Sequence, residues 1–233
     1  MKEWQREMQK QPSFLSDTAK KFQTKINSII PEKVHQFISN TIKQITKGVI
    51  SGAGYITKAK NPKKNLELTE SVVQERIKFY RSSAAVEGAV TGYGGFLSGL
   101  ADLPLWLSIK MKMLFEIASL YGYDVKDLRE RIFILYIFQI TFSSQKHRNK
   151  VYGILENWEM EKDILSDDIN QLDWRTYWVE YRDNIDMAKL LQLIPGFGAI
   201  VGTMVNYQLT NKLGKYAMNV YRMRLFHEGK LEA

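Results

Sequence analysis

Five glycines, Gly88, Gly92, Gly94, Gly95 and Gly99, fall within twelve residues of a stretch reading SAAVEGAVTGYGGFLSGLADLP from Ser83 to Pro104. Glycine costs about 1 kcal/mol against alanine inside a helix, so such density demands a compensating contact. Missing Cβ atoms let another backbone, a flat apolar ligand or an acyl chain come close. A second stretch of the same character, LIPGFGAIVG from Leu193 to Gly202, lies later in the chain. Four G-x-x-x-G pairs result: Gly48/Gly52, Gly88/Gly92, Gly95/Gly99 and Gly198/Gly202. Two readings stand for them. One is close crossing of helices inside a domain; the other is an apolar hairpin that enters a bilayer or wraps a lipid chain.

Around these stretches the apolar pattern is helical, with no convincing period-2 alternation. From Pro31 to Ile56, residues Val34, Phe37, Ile38, Ile42, Ile45, Val49, Ala53 and Ile56 form one stripe, and Lys43 and Lys47 lie off it. That spacing predicts a basic amphipathic helix. The polar run 61–65 marks a boundary between an N-terminal extension (1–60) and a main domain (61–233). Thr69 is placed to cap the next helix, and Asp102 to open one that runs to Tyr121 and stops at Gly122. Asp124 is placed to cap a helix through Phe142, whose eleven residues from Ile132 are apolar on every face and belong at the centre of a protein. An aromatic stripe from Trp174 to Tyr181 follows an acidic stretch, and a last long helix runs from Ala199 to His227.

Several chemistries are excluded. The chain has no cysteine, so disulfides, thiol catalysis and cysteine–metal sites are absent. His35, His147 and His227 lack ligand spacing, so no metal is expected. Gly196, Gly198 and Gly202 resemble a nucleotide loop only superficially, because no acid occurs between Asp186 and Glu228 and no strand precedes them. No phosphate-loop motif and no G-x-S-x-G elbow occur, and no cofactor is expected. No window approaches the ~18–20 uninterrupted apolar residues of a spanning helix. The start is polar, without a signal-peptide core.

The net charge of +8 is unevenly placed: residues 1–65 carry 13 basic and 4 acidic side chains, twelve of the basic ones lysine. Residues 156–186 carry 3 and 10. The basic arm shows no nucleic-acid-binding module, so nucleic acid is disfavoured.

The residues Ala84 to Ala89, Thr91-Gly92, Gly94-Gly95 and Gly99 to Pro104 resemble the signature of the EcsC family, bacterial proteins associated with the EcsA–EcsB ABC transporter. Ile117-Ala118, Tyr121 to Asp124, Glu130-Arg131, Ile194-Pro195, Gly198-Ala199, Gly202 and Asn206-Tyr207 extend the likeness, which covers Tyr55 to Phe226. The resemblance implies work at a membrane and suggests an ABC transporter as partner; it implies no settled activity.

The expectation is therefore an all-α protein of about eight helices, cytoplasmic and peripheral at the inner face of the cell membrane. Lys20, Lys21, Lys25, Lys43, Lys47, Lys58, Lys60, Lys63 and Lys64 would contact anionic lipid. Glu87, Gly88, Gly92, Gly94, Gly95, Gly99, Asp102, Gly198 and Gly202 would form the ligand-binding site for lipid or another apolar ligand. The alternative is a lipid-directed hydrolase or transferase with Glu87 and Asp102 as catalytic acids. For each acid a plainer role is also open: Asp102 as a helix cap, and Glu87 in an ion pair with Arg81, Lys110 or Arg131.

Overall fold

A computed structural model describes residues 1–11, 32–52, 54–55, 65–92, 103–164 and 198–231. These contain eight α-helices and no strand: α1 (Lys2–Met8), α2 (Glu32–Ser51), α3 (Leu66–Gly92), α4 (Leu103–Leu120), α5 (Leu128–Phe142), α6 (Gln145–Glu156), α7 (Trp158–Ile164) and α8 (Gly198–His227). The architecture is all-α. Among the described residues, no helix is long and apolar enough to cross a membrane.

Helix ends follow local chemistry, with two corrections to the expected caps. Asn65, not Thr69, opens α3: its Oδ1 accepts from the Glu67 N–H at 2.7 Å. Thr69 sits one turn in, buried, its hydroxyl donating to the Asn65 carbonyl. Asp127, not Asp124, caps α5 by accepting from the Arg129 N–H at 2.9 Å. Asp124 shapes the preceding turn through the Lys126 N–H. A side-chain oxygen three residues before the true cap, as at Asp124, or four after it, as at Thr69, offers a similar acceptor, and the local turn decides which is used. Gly122 closes α4 as expected. With φ near 90°, it lets the Tyr123 N–H reach the Ala118 carbonyl at 3.1 Å, and its own N–H reach Ser119.

The centre is built from α4 and α5. Both are buried over most of their length, as the apolar run from Ile132 to Phe142 requires. The buried residues Ile42, Thr46, Val49 and Ile50 turn one face of α2 inward, where the helix packs on α4 and α5. Lys43 and Lys47 remain exposed. Of the stripe residues whose side chains are described, Ile42 and Val49 are thus committed to the protein core and Ile45 packs against it, while Phe37 is 40% exposed. The helix also stops at Ser51, short of the expected Ile56, where Gly52 takes a positive φ. Tyr55 then folds back onto Phe115, ring centroids 5.6 Å apart.

A seven-residue helix such as α1 has no stability of its own in water. Trp4 and Met8 anchor it by burial, and the Trp4 ring meets Tyr152 and Tyr216 edge-on. The Gln145 amide nitrogen on α6 lies within 3.2 Å of the carbonyls of Glu7 and Met8, and Asn149 donates to that of Lys10. These side chains satisfy acceptors that a helix end otherwise leaves to solvent. All eight helices contribute to one apolar cluster, so α1 and α2 share their core with the six described helices that follow residue 65.

The most extensive helix contact joins α3 to α8. The two helices approach closely at Gly214, where a Cβ would lie 2.6 Å from Ile77 Cγ1. Replacing Gly214 by alanine should therefore lower the urea midpoint, overpacking costing about 1–3 kcal/mol despite alanine's better helix propensity. Adding Ile77→Val to that variant should recover part of the loss. An unchanged or higher midpoint for Gly214→Ala alone would refute the close approach.

Lys212, also on α8, is drawn down to about 8 by burial and by the neighbouring Arg148, with Glu7 acting the other way. The unfolded chain, where lysine titrates near its ordinary ~10.4, then holds more protons between those two values, so this group's contribution to stability rises with pH across that window. Lys212→Met should raise Tm at neutral pH, with an advantage that shrinks toward pH ~10. A constant gap across that range would show that the ammonium is not desolvated.

Candidate functional site

The two glycine-bearing segments meet at one end of the α3–α8 pair. Four contacts set an antiparallel register: Asn206 Nδ2 donates to the Ala84 carbonyl at 3.3 Å, Arg81 Nη1 to Asn211 Oδ1 at 3.0 Å, Gly214 faces Ile77, and Glu70 pairs with Arg222. Carried on along the two backbones, that register sets Gly88 level with Gly202 and Gly92 level with Gly198, to within about one residue per turn of drift. α4 also runs antiparallel to α3, since Arg76 pairs with Glu116 and Tyr121 donates to Glu70. Its first turn, from Leu103, lies beside the same end. Three helix ends thus converge where the chain carries its signature glycines.

Apolar side chains are exposed there. Leu105 is 53% and Met204 61% exposed, and Tyr207 lies one turn further along α8 with the Arg81 guanidinium 4.8 Å above its ring. Single exposed apolar residues need no explanation. Three at the convergence of the glycine-bearing helix ends are what a site for something apolar requires.

Of the expected site residues, Glu87, Gly88 and Gly92 fall in the last turns of α3, and Gly198 and Gly202 in the first turns of α8. Gly94, Gly95, Gly99 and Asp102 lie outside the described residues. So do Lys20, Lys21, Lys25, Lys58, Lys60, Lys63 and Lys64, the Trp174–Tyr181 stripe and most of the acidic stretch. Lys43 and Lys47 are exposed on α2. Lys110, one of the cations considered as a partner for Glu87, is fully buried on α4 with its Nζ 3.7 Å from the Trp106 ring centroid. Among the described residues, no group of three or more histidine, aspartate or glutamate side chains is placed to hold a metal ion.

The acids that matter most to the described structure were not among those singled out. Three carboxylate–arginine pairs tie the helices together: Glu70 with Arg222 from α3 to α8, Glu116 with Arg76 from α4 to α3, and Glu130 with Arg224 from α5 to α8. The Glu70–Arg222 pair is two-pronged, with Nη2 to Oε2 at 2.6 Å. Glu130 accepts from Arg224 Nη1 and from the Tyr221 hydroxyl, both at 2.6 Å. Burial pushes the Glu130 carboxyl above its ordinary range, and Arg224 and Tyr221 draw it part of the way back. Burial and the nearby Glu116 raise Tyr80 to about 12. Carboxylates bound this way brace helices and are not free to shuttle protons. No local spacing marks these pairs in the sequence, since their members lie between 40 and 152 positions apart.

A family model described as the EcsC protein family matches residues 1–226. The match begins at the first residue, well before Tyr55, and so takes in α1 and α2. The chain is 42% identical to Protein EcsC of Bacillus subtilis (strain 168) over 228 residues, covering 97% of this chain and 93% of that protein. It is 26% identical to the uncharacterized protein YdbA of the same organism over 219 residues, covering 85% and 80%. No solved structure matches.

The buried pair inside this matched segment gives a direct test of its bracing role. Glu130→Gln leaves Arg224 buried with only the partly exposed Glu159 and Glu228 to compensate, at a cost of about 3 kcal/mol. Chemical denaturation should register that loss, and helicity by circular dichroism should survive it. A variant as stable as the parent would show the pair to be dispensable.

Proposed function

The chain belongs to the EcsC protein family, and on that premise we propose that it is a peripheral membrane accessory protein. It works at the cytoplasmic face of the membrane, where its glycine-bearing end receives an acyl chain, a lipid-like ligand, or a segment of a membrane protein such as an ABC transporter. The observation that carries this reading is the convergence of the α3, α4 and α8 ends, bearing Gly88, Gly92, Gly198 and Gly202, with Leu105 and Met204 exposed beside them. Glycine on facing helices leaves backbone open to approach, and apolar side chains exposed at the same place favour an apolar occupant.

Attraction to the surface comes from lysine. Each cation near an anionic membrane contributes about 1 kcal/mol before salt screening. Lys43 and Lys47 point away from the core while Ile42, Val49 and Ile50 are packed inside it, so the C-terminal half of α2 attaches by charge. The apolar share of the attachment falls to the glycine-bearing end.

Trp4, Met8, Ile42 and Val49 belong to the core, so deleting residues 1–60 would unfold the protein and answer nothing. Charge-neutralising substitutions keep the fold. Cosedimentation with phosphatidylcholine vesicles, with and without phosphatidylglycerol, should show binding that requires the anionic lipid. Changing Lys43, Lys47, Lys58, Lys60, Lys63 and Lys64 to glutamine should weaken that binding by at least about a hundredfold at low salt. Leu105→Ser with Met204→Ser should weaken it independently of salt. Binding indifferent to lipid charge and untouched by either set would end the proposal.

A further inference from the structure

A groove of about 630 Å³ runs along the α3–α8 seam, on the outer side of the Ile77–Gly214 contact. Its walls are two helical stripes at spacings of three and four. Lys78 and Arg81 come from α3, and Asn211, Lys215 and Arg222 from α8. Against four cations the lining offers one carboxylate, Glu75. Arg222 is already neutralised by Glu70. Among the described residues, Lys78, Arg81 and Lys215 have no carboxylate within pairing distance. Three uncompensated cations on the walls of one groove repel each other, and an anion lying between them removes that repulsion.

Arg81 is the best prepared of the three. Asn211 holds Nη1 at 3.0 Å and the Tyr207 ring lies 4.8 Å below the guanidinium, so its plane is set before any ligand arrives. Its Nε is buried without a partner. A planar, pre-oriented guanidinium flanked by mobile ammonium groups suits a tetrahedral oxyanion, above all phosphate. Position adds the second half of the argument. From Lys78 and Lys215 the seam leads past Arg81 to Tyr207, then to exposed Met204 and the level of Gly88 and Gly202. Charge, aromatic ring and apolar surface therefore follow one another along a single line.

We infer that the α3–α8 groove is a phosphate site, built to hold the phosphoester headgroup of an amphiphile whose tail runs toward the glycine-bearing end. This rests on the membrane reading only for the source of the phosphate; the groove's preference for phosphate stands without it.

The test uses the full chain, its Lys78→Gln/Lys215→Gln and Arg81→Gln variants, and a Lys146→Gln/Lys150→Gln control with two exposed lysines of α6 neutralised. Each is titrated with soluble glycerol 3-phosphate by calorimetry, and separately with phosphatidylglycerol-containing vesicles. The expected result is binding of the soluble ester by parent and control, weakened about tenfold or more in both groove variants. Loss of vesicle binding in the groove variants, with no binding of the soluble ester to any protein, would also support the site and place its phosphate in the bilayer. Ester binding by a parent that ignores vesicles would keep the groove and discard the membrane reading. The inference is overturned if the groove variants and the control behave alike in both titrations, even where vesicle binding itself is strong. It is equally overturned if neither probe binds the parent. Thermal unfolding of each variant separates loss of binding from loss of fold.

Discussion

Everything else in this molecule is arranged around the antiparallel contact of α3 and α8. It brings Gly214 against Ile77, where no Cβ can be accommodated, and is fastened by Glu70–Arg222 at one end and Asn206–Ala84 at the other. That contact brings the glycine-bearing ends level, turns two cationic stripes toward a common groove, and offers α4 a surface to pack against. Glu116–Arg76 and Glu130–Arg224 then fix α4 and α5 in place around it. Hydrophobic burial supplies the driving force, and the three ionic pairs, each reaching between helices, select this arrangement among others of similar apolar area.

The family signature looks different in this light. Asn206 meets Ala84, and Tyr207 meets Arg81, across the seam. Tyr121 and Tyr123 stack on opposite sides of Tyr221, and Gly122 makes the turn between them possible. Glu130 is held by Arg224. These signature residues position helices.

Much of the fold was legible because the chain is strongly periodic. The strongly apolar run of α5 marks a central helix, and the last long helix, expected from Ala199 to His227, is α8 within one residue. What sequence could not show was which face of each element would be covered. α2 reads as an amphipathic helix equally well whether its apolar stripe meets lipid or α4, since periodicity records one greasy side and not its neighbour. Cap positions slipped for a related reason: Thr69 and Asp124 carry suitable oxygens, and so do Asn65 and Asp127. The bracing acids were missed because ion pairs join residues far apart in the chain, 152 positions for Glu70 and Arg222, and no local pattern marks them. Likewise, the tightest approach at a glycine whose surroundings are described is at Gly214, outside every G-x-x-x-G pair, with a looser one at Gly48 against Tyr55.

The order in which the chain is made gives the seam one more meaning. α8 is translated after each of the helices it packs on, and its partners reach back as far as Glu7, 209 residues before Tyr216. Until those last turns leave the ribosome, Ile77 and the side of α3 that meets α8 lack their main cover, with α4 as the other helix to pack on. Contacts so distant in sequence form slowly and leave apolar surface uncovered meanwhile. The side of α3 that faces α8 is therefore the surface that a nascent chain of this kind leaves open longest.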